Sequence, residues 1–270
     1  MNENKTPIIS IITVVFNDYK FLEETICSII NQSHKNIQYI IIDGGSTDGT
    51  TDIIKRYDKH IDYWISEKDK GIYDAMNKGL KIAKGEFIGF VNSGDILYKE
   101  TLSILANEFN KKPFDYTVGP VDLISEKGEL LEVMFPQRKF HVNKNFLKRM
   151  PTPHPAFFIN KKILNRIGLF NLKYKLSSDF DMIIRSVLIS DNFYEFKNSV
   201  SAFREGGVSG SYHTFIENFS LLKTYNVSFV TRLKIIIPSL IKVFILKTFP
   251  SELTYFLRTK FSSGYRKIIK

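Results

Sequence analysis

Phe87-Ile88-Gly89-Phe90-Val91-Asn92-Ser93-Gly94-Asp95 passes from a short apolar run into four small or polar residues. The first part reads as a strand covered on both faces, the second as the loop leaving its carboxyl end. In an open α/β sheet, ligands settle beyond the carboxyl ends of strands, often where strand order reverses. An Asp there, beside a Gly that lets other groups come close, is placed to hold a metal or a phosphate-bearing ligand. The same four residues also make an ordinary turn. What precedes the stretch decides between the two.

Upstream, strand and helix patterns alternate. Residues 7–16 are an almost unbroken β-branched run closed by Asn17-Asp18, and 19–31 carry Leu22, Ile26, Ile29 and Ile30 on one helical face. Residues 37–42 form a second apolar run, and a helix follows through Ile53, Ile54 and Tyr57. Residues 61–65 make a third strand, and 71–83 a helix with Ile72, Ala75, Met76, Leu80 and Ala83 inward. This order predicts right-handed βαβ units, a mostly parallel sheet and an α/β fold flanked by helices.

Downstream the rhythm changes. A helix is expected over 101–109, then strands over 116–124 and 129–135 paired antiparallel around Lys127-Gly128. Residues 150–155 are a proline-fixed loop and 156–159 a short strand. A helix over 177–190 places Phe180, Ile183, Ile184 and Val187 on one side; a last strand covers 193–203, and the chain is helical from His213.

The chain has 270 residues, 43% hydrophobic, enough for one large domain with an appendage. A single cysteine, Cys27, excludes an internal disulfide framework and fits a reducing compartment. The first residues are polar, with no apolar leader core, so a cytosolic protein is expected. The net charge of +10 is uneven: residues 220–270 hold ten Lys or Arg against one acid, Glu252. Within that tail, 235–249 are strongly apolar but interrupted by Lys242 and Lys247, too short to span a bilayer. Amphipathic helices lying on an anionic membrane surface fit this pattern. A helical hairpin packed on the main domain, or a homodimer interface, is the alternative. The apolar content argues against nucleic acid.

Three strand-end loops carry polar residues suited to a ligand: Asn17; then Asp43-Gly44-Gly45-Ser46-Thr47-Asp48-Gly49; then Asn92 to Asp95. Asp43 is placed to accept from a base or a ribose hydroxyl, and Gly44 and Gly45 permit close approach. Asp48 is expected mainly to cap the next helix. In the polar stretch 66–79, Asp69-Lys70-Gly71 enters a helix, and Lys70 at that N-terminus can meet phosphate oxygens. Asn77 is expected on the cleft side.

Together, Thr13-Val14-Val15-Phe16-Asn17, Ile42 to Thr50, Asp69-Lys70-Gly71 with Asn77-Lys78-Gly79, and Asn92-Ser93-Gly94-Asp95 resemble family 2 glycosyltransferases over roughly residues 7–210. The resemblance implies a GT-A, Rossmann-like fold and an inverting enzyme with a nucleotide-sugar donor, a UDP-sugar foremost. A glycan or lipid-linked acceptor, in surface polysaccharide synthesis at the inner face of the cell membrane, fits the family and the tail. Residues 1–98 would be the nucleotide-binding half, 99–210 the acceptor half and 211–270 a helical basic extension. Thr13, Phe16 and Asn17 match the first nucleotide-binding loop, and Asp43 matches the Asp that contacts the base. Gly44 stands where the usual Asp-Asp-Gly-Ser has its second Asp. Asn92, Ser93, Gly94 and Asp95 match the DxD motif that holds Mg2+ or Mn2+, with only Asp95 keeping a carboxylate. Asp179, in Ser177-Ser178-Asp179-Phe180-Asp181, matches the catalytic base; a plain helix N-terminal charge is the alternative. His154, Asp181 and Arg204 are assigned to the acceptor or diphosphate side. The glycine-rich 204–210 reads as a lid or a linker.

Two rivals follow. A degenerate, non-catalytic nucleotide-sugar binder fits the weakened acidic motif. A sugar-phosphate nucleotidyltransferase would need a glycine-rich basic loop after the first strand, which Asn17-Asp18-Tyr19 is not. No G-x-G-x-x-G follows that strand either, which disfavours a dinucleotide oxidoreductase.

Overall fold

A computed structural model describes residues 8–137, 150–206 and 212–248. The elements run β1 (Ile9–Val15), α1 (Leu22–Ile30), β2 (Ile37–Asp43), α2 (Thr50–Arg56), β3 (Tyr63–Ser66), α3 (Ile72–Ile82), β4 (Phe87–Phe90) and β5 (Ile96–Leu97). They continue with α4 (Thr101–Lys111), β6 (Tyr116–Val118), β7 (Val121–Ile124), β8 (Leu130–Met134), β9 (Ile159–Asn160), α5 (Lys161–Ile167), α6 (Ser178–Ile189), β10 (Phe193–Glu195), β11 (Ser201–Arg204), α7 (Tyr212–Thr224) and α8 (Phe229–Thr248).

The expected arrangement is present. Seven strands form a central sheet in the order β10-β6-β9-β4-β1-β2-β3, in which only β9 runs antiparallel to its neighbours. Every residue of β1 is buried, which explains its unbroken apolar run. Alternate residues feed two cores: Ile12 and Val14 pack with Met76, Leu80 and Ile183, whereas Ile9, Ile11 and Val15 pack with Leu22, Ile26 and Leu102. Burying one such side chain stabilises the fold by about 1.5–3 kcal/mol. The chain leaves β1 toward β2 and β3, then returns to β4 on the other side, so strand order reverses between β1 and β4. Register sets Val15 opposite Asp43 and Ile12 opposite Phe90, which brings the three candidate loops to one edge.

A second sheet, β5-β11-β7-β8, lies beyond β4, and β7 and β8 form the expected antiparallel hairpin. The strand expected over 116–124 is instead two, β6 and β7, in different sheets. The break falls at Gly119-Pro120, where Pro120 cannot donate to a ladder. The strand expected over 193–203 splits in the same way into β10 and β11, which track β6 and β7 across the two sheets. The sequence reading also missed β5 and α5. The Asn160 side chain caps α5 by accepting from the Lys162 amide, and Gly168 ends it at φ +78°. Ile72 was expected inward on α3 but is 40% exposed, and Tyr73 is the buried neighbour.

α7 belongs to the main body. Leu221 and Leu222 sit in the first core, and Glu217 accepts from the amides of Lys175 and Leu176 at 2.6 and 2.7 Å. Among the described residues no helix is long and apolar enough to cross a membrane. Residues 207–210 of the expected lid or linker, and the tail from 249 onward, lie outside the described residues.

Candidate active site at the carboxyl edge of the central sheet

The exits of β1 and β2 are laced together. Asn17 adopts a left-handed conformation (φ +48°); its amide donates to Ser46 Oγ at 2.7 Å and its Oδ1 accepts from the Thr47 amide at 2.9 Å. Asp43 is wholly buried, and its carboxylate accepts from the Ser46 amide, the Ser46 hydroxyl and the Ser66 hydroxyl. Asp48 accepts from the Thr50 and Tyr19 amides, both at 3.0 Å. Its hydrogen bond from the Thr50 hydroxyl is the main reason its carboxyl lies below the usual range. It therefore holds the first amide of α2 from the residue ahead of the N-cap, Gly49, close to the capping place its sequence position suggests.

Over this lacework lie two groups that face outward. Phe16 is 63% exposed at the end of β1. Asp69 reaches across from the loop before α3; its Oδ1 accepts from the Gly71 amide at 2.9 Å. Lys70 is exposed, and its amide donates to Asp74.

The exit of β4 is packed more deeply. Thr13 lies inside the sheet and donates to the Val91 carbonyl at 2.7 Å, below the cleft. Ser93 donates to Asp18 Oδ2 at 2.6 Å, and the Gly94 amide to Thr25 Oγ1 at 3.0 Å. Asp95 is 3% exposed; its Oδ1 accepts a long hydrogen bond from the Arg204 amide, and its Oδ2 has no partner. Burial pushes the Asp95 carboxyl up to about 8, against the amides of Arg204 and Asn92. Asn92 Oδ1 is likewise buried without a partner. Among the described residues no three His, Cys, Asp or Glu side chains gather as a metal-binding group. The two orphan oxygens are hard donors of the kind Mg2+ and Mn2+ accept, and they fit part of such an ion's shell, the rest falling to substrate and water.

Asp179 opens α6 at the same edge. It is half-buried, and its Oδ1 accepts from the Tyr73 hydroxyl and from the Phe180 amide, both at 2.8 Å. Burial, and next the Asp179 carboxylate, push the Tyr73 hydroxyl well above its ordinary range, so it stays a donor. His154 stacks on Phe90 at 5.4 Å; the residue is half-buried, and its Nε2 is buried without a hydrogen-bond partner. Burial holds its imidazole below the usual range, with the Asp179 charge acting the other way. The Asp179 charge is thus felt at His154, which stacks on Phe90 at the end of β4, and its carboxylate is held by Tyr73 in the first turn of α3.

Three other sequence candidates are committed inside the fold. Asn77 exchanges both amide groups with the Phe170 backbone, at 2.9 and 3.0 Å, instead of facing the cleft. Asp181 is buried and accepts from Arg185 and Tyr225. Arg204 is 8% exposed and spends its guanidinium on the Gly94, Ser125 and Glu126 carbonyls and on Glu24. The residue that sequence reading missed is Tyr73. A tyrosine beside an apolar helical stripe was a usable signal, since a buried phenol needs a partner for its hydroxyl.

Comparison with known proteins agrees with this architecture. The family profile described as Glycosyl transferase family 2 matches residues 10–169. An uncharacterized glycosyltransferase of Mycobacterium tuberculosis is 29% identical over 204 residues, covering 68% of this chain and 71% of its own. A PGL/p-HBAD biosynthesis glycosyltransferase of Mycobacterium bovis is 30% identical over 184 residues, covering 66% of this chain and 69% of its own. In three dimensions the chain resembles S. aureus TarS, solved with UDP-GlcNAc, with a TM-score of 0.64 at 19% identity, covering 93% of this chain and 78% of that one. It also resembles the mannosyltransferase PcManGT of Pyrobaculum calidifontis, solved with GDP-Man and Mn2+, with a TM-score of 0.61 at 13% identity, covering 95% of this chain and 80% of that one. The fold is therefore that of the GT-A glycosyltransferases.

Proposed function

This chain belongs to glycosyl transferase family 2, and from that premise we propose that it is an inverting glycosyltransferase with Asp179 as its base. The donor is a nucleoside-diphosphate sugar, as in the complexes of its structural neighbours with UDP-GlcNAc and GDP-Man. The acceptor is a glycan or lipid-linked hydroxyl. That oxygen attacks the anomeric carbon, the bond from that carbon to the diphosphate breaks, and Asp179 takes the hydroxyl proton. The observation that carries this reading is the Asp179 carboxylate itself. One oxygen is held by Tyr73 and Phe180, while Oδ2 accepts no hydrogen bond among the described residues. The Phe16 and Asn17 loop, with Asp69 and Lys70, would seat the nucleotide. A divalent cation, Mg2+ or Mn2+, would be held by Asp95 with Asn92 and would neutralise diphosphate charge. The decisive measurement is a thermal-shift screen of nucleotide sugars with Mn2+ present, followed by transfer assays with the best binder. A ligand that binds only the folded chain raises its melting point. Absence of any shift across uridine, thymidine and guanosine diphosphate sugars would sink the donor reading.

The C-terminal helices would hold the enzyme on an anionic membrane surface, at the cytoplasmic inner face. Along α8, Val230, Ile237 and Ile241 are 60, 48 and 53% exposed, and Lys234 shares their outward face. On the inward face Ile236 is buried and Arg232 stacks on Phe219 at 4.3 Å. Apolar residues turned outward amid excess positive charge suit the headgroup boundary. We expect Val230→Asp/Ile237→Asp/Ile241→Asp to cut retention on phosphatidylglycerol vesicles about tenfold or more in co-sedimentation, at an unchanged melting point. Equal retention, or a wild-type dimer that the triple variant dissociates, would assign the face to protein contact.

A further inference from the structure

We propose that Asp69 reads the donor's nucleobase in the space Gly44 leaves open, and so restricts the chain to bases presenting a ring N–H: uracil, thymine or guanine. The inference rests on the donor reading above. Gly44 is buried at the end of β2, outside the left-handed region, so its backbone would accept any residue. What bars a side chain is the space above it. A Cβ there would lie 2.9 Å from Asp69 Oδ2 and 3.2 Å from the Phe16 ring. Position 44 is where the resemblance calls for a second carboxylate after Asp43. This chain lacks that acid on β2, and Asp69 brings a carboxylate to the same place from the next loop.

The neighbouring groups leave this role to Asp69. Asp43 is wholly buried and already accepts three internal hydrogen bonds. Asp69 is half-buried, and Gly71 fixes its orientation through Oδ1, while Oδ2 accepts no hydrogen bond among the described residues. Phe16 supplies an exposed aromatic face beside it, on which a base can stack without being selected. A carboxylate can only accept. It meets the N3–H of uracil or thymine, or the N1–H of guanine. In the same pose the bare ring nitrogen of cytosine or adenine would set a lone pair against it, and either base would have to shift to offer its amino group instead.

The test is calorimetric titration of the full chain with UDP, dTDP, GDP, CDP and ADP in the presence of Mn2+. Wild type should favour the best of the first three over CDP and ADP by about tenfold to a hundredfold, the scale of one well-made base contact. Asp69→Asn keeps an Oδ1 acceptor for Gly71 but can turn a donor to the base, so its preference over CDP should fall about tenfold or more. The exchange Gly44→Asp/Asp69→Gly should restore that preference by returning the acid to β2. Wild type binding CDP as tightly as UDP, dTDP and GDP would overturn the assignment. So would an unchanged ratio in Asp69→Asn, or an exchange variant that binds without preference. Failure of wild type to bind any of the five would remove the donor reading itself along with this one.

Discussion

Asp179→Asn should lower transfer about a thousandfold and leave nucleotide affinity within a few fold of wild type. The expected size follows from the role, since a positioned general base contributes about 10²–10⁴ in rate. Asparagine is nearly isosteric, and its oxygen can still accept from Tyr73 and Phe180, so the geometry of the α6 entrance should survive. What it cannot do is take a proton from the attacking hydroxyl. The loss should therefore appear in kcat, with nucleotide binding spared because the Phe16, Asn17 and Asp69 loops are untouched. Tyr73→Phe provides the companion measurement. It removes the 2.8 Å hydrogen bond but keeps the ring against Phe170, so it should cost kcat about tenfold at an unchanged melting point. Wild-type turnover in Asp179→Asn would reduce this carboxylate to a helix N-terminal charge.

Much of this architecture can be read along the chain because local and global signals agree there. The β1 run is apolar at every position because both faces are covered, and the hold of Asp48 on the first amide of α2 follows from its spacing before that helix. The splits at Gly119-Pro120 and at 196–200 were less legible. The interruptions are short, Gly119-Pro120 in one stretch and Lys197-Asn198-Ser199 in the other, and tertiary pairing sends the two parts of each to different sheets. Side-chain direction was the other gap. Asn77, Asp181 and Arg204 carry the right chemistry for a site, but each is held by a partner from an element far away in sequence, Asp181 by Tyr225 as well as by Arg185 on its own helix. Asn77 pairs with Phe170, 93 positions on, and Arg204 with Glu24, 180 positions back. No local pattern encodes a bond of that span. Tyr73 shows the converse: its hydroxyl finds Asp179 across 106 positions.

Arg204→Met should destabilise the fold by about 3 kcal/mol in urea denaturation. The guanidinium stands at a junction. Its Nε donates to the Gly94 carbonyl at 3.1 Å, its two terminal nitrogens serve Ser125, Glu126 and Glu24, and its plane lies 4.4 Å over the Phe21 ring. It thus ties the second sheet and α1 to the loop that carries Asp95. Methionine fills much of the volume but supplies no donor. Breaking a buried charge network by removing one partner costs about 3–5 kcal/mol. The lower end applies here, because the Glu24 side chain is 52% exposed and water can take it over. Arg204→Lys should rescue little, since one ammonium cannot reach three carbonyls and a carboxylate in a planar fork. The exposed Lys20–Glu126 pair gives the contrast: Lys20→Ala should cost well under about 1 kcal/mol. The same variant decides between the two roles that sequence and structure give Arg204. A side chain on the diphosphate would lose donor affinity at wild-type stability, whereas a structural tie loses stability first. An Arg204→Met protein with an unchanged urea midpoint and weakened nucleotide binding would return Arg204 to the ligand.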